Sequence, residues 1–196
     1  MATANTLALP KPWPDFLKEV DDQLSQKVDL QCIGGFVLTA LHAIPRSTDD
    51  LDYIAAIPRQ AAEEIERIAG KGSALCRKYR LYLQRVGIAD LPEDYESRIQ
   101  ELKLNLEKLK LWALDPYDLL LSKVTRNSPK DQDDAKRVIF TLKLDFKTFH
   151  DRWEKELAPL VSNRRRHDLT IELWKEYFPD ADFGDEGRAP VRPPLP

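Results

Sequence analysis

Asp50 and Asp52 stand two residues apart in the run Thr48-Asp49-Asp50-Leu51-Asp52-Tyr53-Ile54. In an extended strand, residues i and i+2 share a face. Both carboxylates then project side by side, and Leu51 between them turns toward a core. Two adjacent carboxylates repel each other, and a cation removes the conflict. Paired hard oxygen ligands suit Mg2+ (or Mn2+), commonly held by one or two carboxylates together with substrate phosphates. Gly34-Gly35 lies about fifteen residues earlier, a distance a helix can fold back on itself, where an apolar strand gives way to a helix. Backbone N–H groups and the dipole at a helix N-terminus favour an anion. Together the two features predict a phosphate cradle beside a metal clamp.

Each feature also has a purely structural reading. Thr48–Asp52 reads as an acidic turn, because Asp is common in turns. Against this, Asp is disfavoured in strands, and two on one face need a reason. Gly34-Gly35 serves equally as an ordinary turn in which Gly relieves backbone strain. Asp115-Pro116-Tyr117-Asp118 is a complete helix start, with Asp115 as N-cap and Asp118 in the first turn. Ser128-Pro129-Lys130-Asp131 is another, with Asp131 at the acid position of a capping box. Asp131 stays open between cap and active-site residue. Lys123 and Arg126, three apart, share a helix face that is either solvated or a phosphate contact.

Gly34-Gly35 … Arg46-x-Thr48-x-Asp50-x-Asp52 resembles the signature of the nucleotidyltransferase superfamily, the polymerase-beta-like palm. It is similar above all to the small bacterial domains near the AbiEii-type toxins and the aminoglycoside nucleotidyltransferases. A second block, Asp118-Leu119-x-x-Ser122-Lys123-x-x-Arg126 … Lys130-Asp131-x-x-Asp134, is similar to the run those domains carry on two helices. The resemblance implies a metal-dependent enzyme that moves a nucleoside monophosphate from a nucleoside triphosphate to an acceptor hydroxyl on RNA or protein. The toxin of a toxin–antitoxin pair, with an antitoxin protein as partner, is one setting. A small-molecule transferase and a degenerate nucleotide- or partner-binding module are the alternatives. The resemblance assigns catalysis to Asp50, Asp52, Lys123 and Asp131, with the metal on Asp50 and Asp52. It assigns the nucleotide to Gly34, Gly35, Arg46, Thr48, Lys123 and Arg126. Thr48 is expected to shape its loop through a side-chain hydrogen bond. Asp131 is expected to act as general base or to orient Lys123. The chain departs from the larger superfamily in two places. Gly-Gly replaces Gly-Ser, and the expected later strand, Leu104–Leu114, contains only Glu107 as a third carboxylate.

The rest of the chain must position these residues. Its 196 residues, 42% hydrophobic and 32% charged, suffice for a sizeable core. A formal net charge of −3 argues against a protein that coats nucleic acid. A local basic groove stays open, because Arg77, Lys78, Arg80 and Arg85 cluster, as do Arg164, Arg165 and Arg166. Cys32 and Cys76 read as buried small apolar residues of a reducing cytoplasm. The three histidines show no metal-ligand spacing. Apolar runs are too short to span a membrane, and the N-terminus lacks the regions of a signal peptide. A cytoplasmic protein without a membrane partner is expected.

Periodicity gives helices over 14–26, 35–43, 58–69 and 73–86, with strands over 28–33, 50–55 and 104–114. A short partner strand precedes the last of these. Helices follow near 116–126, 129–142, 146–160 and 164–178. The expected class is α/β (α+β), a small mixed-sheet palm with a helical C-terminal part. The expected division is a flexible stretch to residue 12, a palm over 13–114, and a helical part over 115–179. The resemblance implies that this last part closes the cleft. A Pro-rich tail over 180–196 has too little apolar content to fold.

Overall fold

The computed structural model describes residues 7, 9–42, 44 and 48–179, without the side chains of Leu41 and His42. Arg46, most of the expected flexible N-terminus and the tail over 180–196 lie outside the described residues. The chain divides into two compact units. The first runs to Ala89 and resumes over Arg98–Leu114, and the second takes Asp90–Ser97 and everything from Asp115.

The first unit opens with α1 (Trp13–Gln23), followed by β1 (Val28–Ile33) and α2 (Gly34–His42). Trp13, Phe16, Leu17 and Val20 repeat at helical spacing and are all buried, as is Leu24 just beyond the helix. Each such side chain contributes about 1.5–3 kcal/mol on leaving water. β2 (Asp50–Ile57), α3 (Ala61–Ala69), α4 (Ala74–Tyr79) and β3 (Tyr82–Arg85) come next, then β4 (Gln100–Leu102) and β5 (Leu109–Ala113). The five strands form one mixed sheet in the order β3-β2-β1-β5-β4. β1 is antiparallel to β2 and parallel to β5, β2 is parallel to β3, and β4 is antiparallel to β5. β1 is thus paired along both edges, and every residue in it except Asp29 is buried.

Three expectations change here. The helix expected over 73–86 is a short helix followed by a strand. Ser73 caps α4 by accepting from the Cys76 N–H at 3.0 Å, and Arg80 ends it in the left-handed conformation, φ 57°. Leu75, Tyr79, Tyr82 and Leu83 fit either period over so short a run, and pairing with β2 decides for a strand. The strand expected over 104–114 begins only at Leu109, while the short partner strand is present as β4. Leu104 and Leu106 lie in the preceding loop, half-buried. Cys32 is buried as expected, but Cys76 is only half-buried.

Asp21 explains where β5 begins. Its buried carboxylate accepts from the backbone N–H groups of Glu107, Lys108 and Leu109 at 3.1, 2.7 and 2.7 Å. A helix side chain therefore takes the donors at the strand's entry and ties α1 to the sheet. Burial works against the charged form, but the three N–H groups hold the carboxyl below its usual range.

In the second unit, α5 (Pro116–Val124), α6 (Pro129–Leu142), α7 (Phe146–Arg152) and α8 (Arg164–Lys175) enclose a core of their own. α7 runs on into one π-helical turn, Trp153–Leu157, which seats both end residues in that core. Phe149 stacks on Trp174 at 6.4 Å, and the indole N–H groups of Trp153 and Trp174 donate to Asp168 and Asn127 at 3.0 and 3.1 Å. Buried tryptophans with satisfied N–H groups bring large apolar area without a stranded donor. No helix among the described residues is long and apolar enough to cross a membrane.

Asp21→Ala strands three backbone donors, and we expect a loss of about 2–3 kcal/mol in urea unfolding, with a smaller loss for Asp21→Asn. Because its folded carboxyl is depressed, Asp21 stabilises above the unfolded carboxyl range, near pH 4, and the contribution is lost as pH falls below it. The acid limb of the wild-type stability curve should be steeper than that of Asp21→Asn.

Candidate functional site

The strand pleat decides what β2 presents. Leu51 and Tyr53 are buried on one face, while Asp50 and Asp52, half-buried, alternate with them on the other. Antiparallel pairing sets Ile33 of β1 opposite Asp52. The chain leaving β1 therefore passes the Asp52 carboxylate as it turns into α2. Gly34 makes that turn with φ +77°, and a methyl group placed on it would lie 2.6 Å from Asp52 Oδ2. A residue lacking Cβ is what permits both the backbone angle and the close approach. The Thr48 hydroxyl donates to Asp50 Oδ1 at 2.6 Å and lies 3.2 Å from the Asp50 carbonyl. Beyond Tyr53 the register slips by one residue, so that Cys32 faces Tyr53 while Gln31 faces Ala55. Bulges of this kind bend a strand and re-aim its side chains.

The other flank of β2 belongs to β3. Parallel register aligns Asp50 with Tyr82 and Asp52 with Gln84, which puts Tyr82 and Gln84 on the face of the Asp pair. Burial lifts the Tyr82 phenol above its ordinary range, and the charges of Asp50, Asp49 and Asp52 add to the effect. The strand within residues 104–114, β5, is not a neighbour of β2; β1 and β3 are, and β3 carries neither Asp nor Glu.

Among the described residues, no group of three or more His, Cys, Asp and Glu side chains could hold a metal ion. The Asp pair fits a different kind of site: two carboxylates for a hard cation whose remaining positions are filled by phosphate oxygens and water.

The other expected site residues belong to the second unit, where they bind one another. Ser128 and Asp131 form the expected capping box, with Asp131 N–H donating to Ser128 Oγ at 3.2 Å and Ser128 N–H to Asp131 Oδ2 at 3.1 Å. The same carboxylate accepts a two-pronged bond from Arg126, at 2.7 and 2.5 Å. Lys123 Nζ lies 3.3 Å from Asp131 Oδ1 and 2.9 Å from Asp134 Oδ2. Burial opposes the Asp131 charge, but Arg126, Ser128 and Lys123 hold its carboxyl far below the usual range. Lys123 was expected to be exposed, with little weight in stability. It is 4% exposed and paired with two buried carboxylates. The driving fact is the density of acids on α6, which a lone lysine three residues from an arginine does not announce.

Asp115 and Asp118 have a full structural account as well. Asp115 caps α5 by accepting from the Tyr117 N–H at 3.0 Å. Arg152 donates to Asp115 and Asp118 at 2.6 and 2.9 Å, and its guanidinium lies 5.0 Å from the centre of the Tyr117 ring.

The structure thus gathers Gly34, Thr48, Asp50 and Asp52 in the first unit and Lys123, Arg126 and Asp131 in the second. Tyr82 and Gln84 beside the Asp pair carry no signal in the sequence, because residues 82–85 suit a helical period as well as a strand.

Gly34→Ala should destabilise by about 1–2 kcal/mol, the cost of a left-handed non-glycine residue, and displace the Asp52 carboxylate. Thermal unfolding should register the loss. Lys123→Ala removes the buried ammonium shared by Asp131 and Asp134 and should cost about 3–5 kcal/mol in urea unfolding. A Lys123→Ala protein as stable as the wild type would refute the structural weight of this network.

Residues 15–180 match the family described as "Nucleotidyltransferase of unknown function (DUF6036)". Neither a curated protein nor a solved structure matches the chain. The match spans most of the sequence, both motif blocks included, and the chain belongs to this nucleotidyltransferase family.

Proposed function

We propose that the protein is a metal-dependent nucleotidyltransferase that moves a nucleoside monophosphate from a nucleoside triphosphate to an acceptor hydroxyl. The observation that carries this reading is the close approach of Gly34 to Asp52, with Asp50 beside it on the same face of β2. Family membership supports the same class.

Each residue then has a defined task. The Gly34-Gly35 backbone at the start of α2 receives the terminal phosphates, where the absence of side chains leaves N–H groups reachable. Asp50 and Asp52 hold Mg2+ or Mn2+, which when bound supplies charge compensation to the phosphates. Thr48 orients the Asp50 carboxylate through its hydroxyl. The acceptor oxygen bonds to the α-phosphorus, the bond to the bridging oxygen breaks, pyrophosphate leaves, and the hydroxyl proton passes to solvent. For Lys123, Arg126 and Asp131, the reading is a phosphate-binding cluster whose charges are satisfied internally until a phosphate competes for them.

Asp50→Asn keeps side-chain shape and removes charge, so the fold should persist. Thermal unfolding with Mg2+ and a non-hydrolysable nucleoside triphosphate should raise the wild-type Tm through mass action and raise that of Asp50→Asn much less. Labelling from an α-labelled triphosphate, offered with RNA, protein and aminoglycoside acceptors, should vanish in the variant. Equal ligand-induced shifts in both proteins would remove Asp50 from the metal site. A wild type that binds triphosphate but labels no acceptor would point to a non-catalytic module.

A further inference from the structure

The face of β2 away from the Asp pair holds a second concave site. Tyr53 lies on that face, because the pleat sets it opposite Asp50 and Asp52. Parallel register aligns Arg85 of β3 with Tyr53. α3 lies across the same face and supplies Ala62, Glu63, Glu66 and Arg67. These residues line a cavity of about 430 Å³, within the range that small-molecule sites occupy. A neighbouring cavity of about 410 Å³ shares Glu63 and Arg85 and adds Arg59.

Two features separate this cavity from an ordinary solvated helix face. The first is Tyr53. It is 1% exposed, yet among the described residues nothing bonds its hydroxyl, whereas a buried tyrosine ordinarily has a partner. Burial lifts the phenol above its ordinary range, the Glu66 charge adds to the rise, and the Arg85 charge opposes it. Charges of both signs thus reach the floor of the cavity. The second feature is that those charges stay apart. Glu63 stands four residues before Arg67, the spacing and order that favour a helical ion pair. Lys147 and Asp151 form a pair at that spacing, as do Arg164 and Asp168. Among the described residues, Glu63, Glu66, Arg67, Arg85 and Arg59 form no ion pair, and all five are exposed.

We propose that this cavity binds a free α-amino acid. A simple anion would meet the two glutamates, and a simple cation would meet the arginines. An apolar solute would leave the phenol without a partner. A zwitterion with adjacent charges satisfies all three. Its carboxylate takes the Arg85 guanidinium, whose planar fork matches a carboxylate, and accepts from the Tyr53 hydroxyl. Its ammonium donates to Glu63 and Glu66, and its side chain lies over Ala62. A nucleotide, with several negative charges, is repelled by the same glutamates. None of Gly34, Asp50 and Asp52 lines the cavity, so binding there needs neither metal nor triphosphate.

Thermal unfolding of the full chain with each standard free L-amino acid in excess, without metal or triphosphate, is the first test. At least one should raise Tm through mass action. Titration calorimetry with that amino acid should give binding about tenfold weaker for Glu63→Gln and for Arg85→Gln, each the loss of one charge-assisted hydrogen bond. Both side chains are exposed and unpaired, so both variants fold and decide the matter even if Tyr53→Phe does not fold. Tyr53→Phe keeps the ring in the core, removes the hydroxyl and should weaken binding several-fold. The N-acetyl and the amide derivatives of the same amino acid each lack one charge, and each should also bind about tenfold more weakly. No Tm shift with any amino acid would overturn the proposal. So would an affinity unchanged in Glu63→Gln and Arg85→Gln, or N-acetyl and amide derivatives that bind as tightly as their parent.

Discussion

Two negative groups two residues apart on one strand, with a buried leucine between them, have no freedom to avoid each other. The pleat puts them on one face, and Leu51 pins that face outward from the core. Rotating the strand to separate the acids would carry Leu51 and Tyr53 into water, at a cost of several kcal/mol in lost burial. The sheet thus enforces a repulsion that a local turn would relax. Gly34 adds to the constraint, because its backbone closes on the Asp52 carboxylate and restricts where it can swing.

The second unit handles charge in the opposite manner. Lys123, Arg126, Asp131 and Asp134 satisfy one another, and Ser128 completes the set while capping α6. Asp131 therefore does two jobs with one carboxylate. It fixes a helix start and anchors two cations, which explains why its carboxyl is held so far down in spite of burial. Removing any one member leaves the others with uncompensated charge, so the members cannot be varied independently.

Much of this was legible in the sequence, for reasons that can be stated. Helix starts were readable at Asp115 and Ser128 because capping chemistry is local and uses few residue types. The same-face geometry of Asp50 and Asp52 was readable because strand periodicity is fixed. β3 was not readable: four residues with apolar Tyr82 and Leu83 suit a helix as well as a strand, and the left-handed Arg80 that ends α4 carries no sequence signature of its own. Missing β3 also hid Tyr82 and Gln84. The burial of Lys123 was hidden because its partners Asp131 and Asp134 lie on another helix, eight and eleven residues away. The role of Asp21 was out of reach altogether, since its partners lie more than eighty residues away in the chain.

The terminal position of β3 bears on how such a protein can diverge. A strand with a neighbour on one side only can change residues at small cost to the sheet, provided Leu83 keeps its place in the core. Tyr82 and Gln84 are therefore free to vary, whereas Asp50, Asp52 and Gly34 sit among neighbours that tolerate little. Within one lineage Gly34, Asp50 and Asp52 can stay fixed while the residues at the sheet margin drift. New preferences would then accumulate at the sheet margin without first passing through an unstable ancestor.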